Sequence, residues 1–438
     1  MLALAGLLTI AIVLAAILSK KVTPLVALGA IPPVMALLLG FGSETGAMMG
    51  QGMVKVAPMA AMFLFAILFF GILSDAGLFR PVIAAIVRMA KDHPARLSIG
   101  TAVLTSIVHL DGSGAATFLI VIPALAPVYD RLGIDRLTLT VVVAMAAGVG
   151  NMLPWGGPTI RAATALDVPV MTLFKPMLPV YLTGVVTMLA VSWWLGHRAL
   201  RSGAGIDGRS PDAGGSAFAA PVTADAESDA PMSRTRQAIG WFLVVSVLAA
   251  MLSEVLPPAA AFMLGTIAAL LLCAGSEARQ NAALRDHAAS GISMVAILFA
   301  AGCFTGILNG TGMIEAMAHG GANLLPSGSA AHLPVLIGVL AMPLSLLFDP
   351  DSFYFGILPV LAGIAGASGG DPLAVGQAAI VGQMTTGFPI SPLTPATFLL
   401  VGLAGVNLAD HQRAAFGWLF LLSLVMTAAA YMLGILAP

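Results

Sequence analysis

Apolar stretches of about 20 residues, the length that carries a helix across a bilayer, recur at 2–19, 22–40, 56–73, 137–160, 176–196, 237–253, 259–275, 289–308, 374–401 and 414–436. No water-soluble fold hides so many. Asp, Glu, Lys and Arg make up only 9% of the 438 residues, against about 25% in a soluble domain. That is too little charge to clothe the surface left exposed around such a core. A net charge of −1 with no basic domain excludes a nucleic-acid binder. Cys273 and Cys303 both sit in apolar stretches and read as small hydrophobes, not as a disulfide or metal site. The fold class is an all-α polytopic membrane protein with about ten spanning helices.

The opening stretch has no basic region before it, and a second apolar stretch follows Lys20 and Lys21 directly, so it reads as a span and not a signal peptide. Two further apolar regions, 97–129 and 333–366, are each interrupted by a polar break: His109 to Gly114 in the first, Asp349 to Ser352 in the second. Arms of about 12 to 15 residues are too short to cross alone, and each pair is expected to fold back as a re-entrant hairpin. With the N-terminus outside and each hairpin leaving on its side of entry, sixteen Lys and Arg fall in cytoplasmic loops and three (Lys55, Arg161 and Lys175) fall outside. That asymmetry is the positive-inside signature. Residues 200–236, rich in Gly, Ala, Ser, Asp and Pro, read as a disordered cytoplasmic linker between a first half, 1–199, and a second, 237–438.

The halves echo each other. FGILSDAGL (70–78) parallels TGILNGTGM (305–313), and GNMLPWGGPT (150–159) parallels TGFPISPLTP (386–395). In each, a helix leads to a hairpin and then to a span broken by Gly and Pro, near 137–160 and near 374–401. The segment before the first hairpin, 80–96, holds four Lys or Arg, and its counterpart, 309–332, holds none. Opposite orientations follow. Broken segments at matching places in inverted halves point to the binding site of a secondary transporter.

A broken helix presents free N–H groups at one half-helix end, attractive to an anion, and free carbonyls at the other, attractive to a cation. The candidate substrate residues at these breaks are Asp111, Gly112, Ser113, Gly114, Asn151, Gly156, Gly157, Thr159, Arg161, Ser352, Ser391 and Thr394. Candidates for metal or proton coupling are His109, Asp111, Asp349, Asp351, Gln383 and Thr386. A carboxylate within the membrane is expensive unless it is paired or working. Asp111 nevertheless also suits a plain Asp-Gly turn capping the next arm. Arg161 can hold a carboxylate through two parallel bonds or can snorkel to the interface. His109 can carry a proton or simply anchor the hairpin.

At these same residues the sequence resembles the CitMHS family of bacterial citrate–divalent-metal:proton symporters, within the ion transporter superfamily. The resemblance is carried by FFGILSDAGLFRP (69–81), HLDGSGAATF (109–118), GNMLPWGGPTIRA (150–162), FAAGCFTGILNGTGM (299–313), DSFYFGILPVLA (351–362) and SPLTPATFLLVGLAGVNLADHQ (391–412). It implies an inner-membrane carrier, a homodimer in contact with lipid, moving scaffold and transport regions past each other in an elevator-like cycle. It also implies uptake of citrate with Mg or Ca as co-transported cargo, driven by protons, with no permanently bound cofactor. Both tips depart from the family pattern. Ser113 and Ala116 stand at the first tip in place of an acid and a threonine, and Pro350 stands at the second where asparagine is common, with Asp349 added beside it. A carrier for another di- or tricarboxylate, coupled to protons or sodium, is the alternative. A channel or a membrane enzyme fits less well.

Overall fold

The structure, a computed structural model, describes residues 1–19, 21–90, 93–201, 232–323 and 329–436. Among these described residues nine α-helices precede the central segment: α1 (Leu2–Leu18), α2 (Pro24–Leu38), α3 (Glu44–Asp75), α4 (Arg80–Ala90), α5 (Pro94–Val108), α6 (Gly114–Arg131), α7 (Arg136–Gly150), α8 (Gly157–Leu166) and α9 (Val170–Arg201). Nine follow it: α10 (Arg234–Leu252), α11 (Pro258–Cys273), α12 (Glu277–Gly310), α13 (Met313–Ala322), α14 (Leu333–Leu344), α15 (Leu358–Ala367), α16 (Pro372–Val381), α17 (Pro395–Ala404) and α18 (Leu408–Met432). There is no strand among the described residues. Most of the expected linker falls outside them, and its two ends, Arg201 and Arg234, belong to helices.

Proline explains many of the helix starts. Nine of these helices carry Pro at the first or second position, where the missing N–H costs nothing and the fixed φ suits the helix. The same device shortens the spans. Ten full-length crossings are the expectation from hydropathy. Among the described residues five helices, α3, α9, α10, α12 and α18, have the length and apolarity to cross, and the bent segment from α16 to α17, turning through 44°, makes a sixth. Helices α1, α2, α7 and α11 have only 15 to 17 residues, about 22–26 Å at 1.5 Å per residue. Helix α2 begins after the Thr23 cap and is followed by Gly40 at φ +91°.

Two of the three longest helices among the described residues, α3 and α12, cross at the centre. Their backbones approach so closely that a Cβ on Gly52 would lie 2.0 Å from the Gly302 carbonyl oxygen, a small-residue contact of the kind membrane helices use in place of hydrophobic burial. Helix α2 packs on α12, and α11 on α3. In each half the two short helices that flank a polar tip, α5 with α6 and α14 with α15, pack on the first piece of the following broken helix, α7 or α16. The second pieces cross over: α17 packs on α6, and α8 packs on α15 and α16. Arg136 fastens one crossover, gripping Asp130 with two bonds of 2.9 and 2.6 Å and donating to the Ala404 carbonyl at 3.1 Å.

Candidate functional site

At the first tip α5 tightens into a 3₁₀ turn, His109–Asp111, and the chain reverses at Gly112 with φ +70°. Only glycine takes that conformation without cost. Ser113 is the N-cap of α6, its Oγ accepting from the Ala116 N–H at 3.2 Å. Asp111 Oδ1 accepts from the Ser113 N–H at 2.8 Å, so one carboxylate oxygen serves the turn. The residue also lines a cavity of about 420 Å³ together with Ser113, Asp75 and His287.

His109 is fully buried. Its Nδ1 lies 2.8 Å from Thr117 Oγ1 and its Nε2 lies 2.9 Å from Asn151 Oδ1. An amide oxygen only accepts, so Nε2 carries a hydrogen. The Asn151 amide nitrogen in turn donates to the Met384 carbonyl at 2.8 Å. Asn151 therefore joins the first tip, the first break and the second break through one side chain. Gly114 lies under Phe388, 3.0 Å from where a Cβ would stand, which fastens the same tip to the second break.

The first break runs from Asn151 to Gly156. Gly156 has no room for a side chain, because a Cβ there would sit 2.0 Å from the Asn151 carbonyl oxygen. Trp155 Nε1 donates to the Leu110 carbonyl at 2.7 Å, and Thr159 Oγ1 donates to the Met152 carbonyl at 2.9 Å. Gly157 opens α8, and one turn on, Arg161 points back, donating to the Gly157 carbonyl at 3.3 Å and from Nε to Asp351 Oδ1 at 2.7 Å. The Arg161 and Asp351 side chains are only 5% and 11% exposed. This buried ion pair joins the first half's broken helix to the second half's tip.

At that second tip Asp349 Oδ1 accepts from the N–H groups of Asp351 and Ser352 at 3.0 and 3.1 Å, while Oδ2 accepts from the Ser352 hydroxyl. Asp349 and Ser352 thus largely satisfy each other. Arg161, Asp349, Asp351 and Thr394 line a second cavity, of about 470 Å³. In the second break Gln383 leaves the helical region and Met384 adopts φ +57°. Thr386 Oγ1 turns back on the Val381 carbonyl at 3.4 Å, and Ser391 Oγ donates to the Ser345 carbonyl. Gln383 Nε2 donates to the Phe348 carbonyl at 3.2 Å, while its Oε1 and the Thr394 hydroxyl, both buried, have no partner.

The structure therefore gathers the predicted residues into two neighbouring groups. One is His109, Asp111, Ser113 and Asn151. The other is Arg161, Asp351, Gln383 and Thr394, with Asp349 and Ser352 at its edge. Thr159 and Thr386 spend their hydroxyls on backbone carbonyls. Two residues in the first cavity escape sequence reasoning: Asp75 and His287, paired at 2.8 Å between α3 and α12. The repeat carried a signal for Asp75, since its counterpart in the aligned motif, Gly310, has no side chain. Among the described residues no group of three or more His, Cys, Asp or Glu gathers at metal-binding spacing.

Comparison with known proteins places this geometry in a family. The profile of CitMHS, described as a citrate transporter, matches residues 1–382. A Bacillus subtilis (strain 168) protein named "Citrate transporter" is 39% identical over the whole of both chains. A second from that strain, "Mg(2+)/citrate complex secondary transporter", is 36% identical over 99% of each. Among solved structures the Alcanivorax borkumensis YdaH transporter, described as having an unusual topology, superposes with a TM-score of 0.64 at 17% identity, covering 92% of this chain and 90% of that one. At that identity the likeness shows a shared fold alone. On the family profile and on relatives matched end to end, the chain belongs to the CitMHS family of citrate transporters.

Proposed function

We propose that the protein is a secondary carrier that imports citrate as a complex with a divalent cation, Mg or Ca, driven by protons across the bacterial cytoplasmic (inner) membrane. The observation that carries this reading is the buried Arg161–Asp351 pair on the wall of the 470 Å³ cavity. A buried charge that loses its partner costs several kcal/mol. A free citrate anion taking Arg161 would strand Asp351, and a bare metal ion taking Asp351 would strand Arg161. A metal–citrate complex does both at once: a substrate carboxylate takes the guanidinium and the metal takes the aspartate, so no buried charge is left alone. The N–H groups at the start of α8, beside Gly156 and Gly157, and the Asn151 amide orient the remaining carboxylates.

His109 supplies the proton step. Thr117 has one hydroxyl hydrogen and two acceptors within reach, the Ser113 carbonyl at 2.8 Å and His109 Nδ1 at 2.8 Å. A neutral His109 takes that hydrogen from the Ser113 bond. A protonated one donates from both ring nitrogens and leaves every bond at the tip made. Gain and loss of the proton therefore remodel the turn that carries Asp111.

The order of helices supports two nine-helix halves of opposite orientation. We place ten crossings in the bilayer, with the short α1, α2 and α11 completed by their flanking turns. The α7–α8 and α16–α17 segments are the two broken spans, and α5–α6 and α14–α15 are the re-entrant hairpins. The segment between α9 and α10 is a cytoplasmic linker, and the carrier works as a homodimer embedded in lipid.

Uptake of labelled citrate into proteoliposomes, with Mg, Ca, Na and proton gradients varied separately, tests the reading. Uptake is expected to need both a divalent cation and an inward proton gradient. Uptake that persists unchanged in excess chelator removes the metal complex and leaves a carrier of free carboxylate. In His109→Gln, transport driven by the proton gradient is expected to fall to the level of equilibrating exchange.

A further inference from the structure

The backbone of the second break is held from outside, by α18. Between α16 and α17 the chain makes a short turn, Phe388–Ile390, and Ser391 after it is extended. In an unbroken helix the Pro389 and Ile390 carbonyls would accept from the N–H groups of Leu393 and Thr394. Here the Leu393 N–H goes to Ser391 Oγ at 3.2 Å, and the Thr394 N–H goes to the Ser391 carbonyl at 3.3 Å. Two carbonyls are left for other donors. Helix α18 supplies both: His411 Nε2 lies 3.0 Å from the Pro389 carbonyl oxygen, and Gln412 Nε2 donates to the Ile390 carbonyl at 2.9 Å. A carbonyl oxygen only accepts, so Nε2 of His411 carries a hydrogen.

The residue before them is held in the same way, since the Phe388 carbonyl accepts from Thr397 Oγ1 at 2.7 Å. Three successive carbonyls are therefore each taken by a side chain. The His411 ring is fully buried, and its Nδ1 is braced against Thr140 Oγ1 of α7 at 3.0 Å. Asn407 starts α18 by capping the Ala409 N–H at 2.8 Å, which sets residues 411 and 412 one turn in, level with the break. Imidazole and amide bring an N–H without a charge, whereas a lysine or arginine here would have to bury one.

The turn so held faces both groups of site residues. The Phe388 ring stacks on His109 and Phe118, with centroids 6.2 and 6.1 Å apart. A few residues on, Leu393 and Thr394 line the cavity that holds Arg161 and Asp351. We infer that His411 and Gln412 are positioning residues for transport, a two-pronged clamp that sets the second break, the cavity wall at Leu393 and Thr394, and the seat of Phe388 on the first tip. Neither side chain lines that cavity, so both act through the backbone they hold. The contribution to uptake rests on the citrate reading; the hold on the backbone does not.

The test compares His411→Leu, His411→Gln and Gln412→Glu in the full-length protein. His411→Leu leaves the Pro389 carbonyl without a donor. His411→Gln keeps an N–H at about the same reach, and Gln412→Glu is isosteric but turns a carboxylate oxygen on the Ile390 carbonyl. In proteoliposomes the KM for citrate is expected to rise roughly tenfold in His411→Leu and Gln412→Glu, the scale of one hydrogen bond left unmade. His411→Gln should return it close to wild type. A KM unchanged in both damaging variants, or raised as much by His411→Gln as by His411→Leu, overturns the clamp. Gln412 is half-buried, so its variant keeps the test open if His411→Leu does not fold. Hydrogen exchange over residues 382–397 needs no cargo. It should quicken in the two damaging variants and not in His411→Gln. Wild type that takes up no citrate, with that exchange pattern present, sinks the carrier reading and supports the clamp; uptake by wild type with exchange unchanged in every variant does the reverse.

Discussion

Arg161 is held by a carboxylate of its own chain, and that decides how its variants behave. Arg161→Ala leaves Asp351 buried and unpaired, which should cost about 3–5 kcal/mol of stability. The double variant Arg161→Met, Asp351→Leu should recover most of that loss in an unfolding assay while remaining unable to take up citrate. A double variant as unstable as the single one would mean that the pair is not what holds the two halves together there. Asn151→Leu should cost about 2–5 kcal/mol, because it strands both a ring N–H of His109 and the Met384 carbonyl. That Arg161 is a residue to test was legible in the sequence, since the expected topology puts only three basic residues outside. Its partner was not. The pair spans residues 161 and 351, and no local pattern in either segment points to the other. Asp111 shows the opposite case: its Asp-Gly turn was readable from neighbours alone, and the structure adds the cavity it faces.

The elements divide along the same line. Both polar tips and both broken helices fall where Gly, Pro and Asp interrupt apolar runs, because those residues act locally through φ, missing donors and capping. The bounds of α1, α2 and α11 fall within about two residues of the apolar stretches that announce them, and α7 stops where Gly and Pro break its stretch. The crossing of α3 and α12 was hidden: Gly52, Gly302 and Gly306 look like scattered glycines until the two helices are laid together. Gly52→Ala is expected to damage the fold far more than a glycine-to-alanine change in a helix normally does. Its Cβ meets the backbone of Gly302 at 2.0 Å, which cannot rotate out of the way, so overpacking of about 3 kcal/mol is the expected scale. The melting temperature of the purified variant reads this directly, and an unchanged value would require α3 and α12 to be separated.

On the scale of the whole molecule, two exposed ion pairs tie groups of helices together. Lys55 of α3 meets Asp167 at the end of α8, and Lys175 of α9 meets Glu254 just beyond α10, the latter at 2.7 Å. Both acids sit at positive φ, at 57° and 58°, positions that glycine usually fills. Each pair is roughly half exposed, so Lys55→Ala or Lys175→Ala should change stability by less than about 1 kcal/mol. Whatever difference appears should shrink as salt is raised toward 1 M, where charges are screened within about 3 Å. A larger, salt-independent loss would assign these lysines a packing role instead.

The crossover of the half-helices carries a consequence for how the chain is made. Gly6, on α1, packs against Met317 from the second half, and α6 waits for α17. The first half thus enters the bilayer with its central contacts unmade and must stay there, loosely held, until nearly all of the second has been synthesised. Such a protein should lean on insertion factors or lipid to shelter its early helices. A ribosome stalled after α9 should yield a product that proteases digest readily.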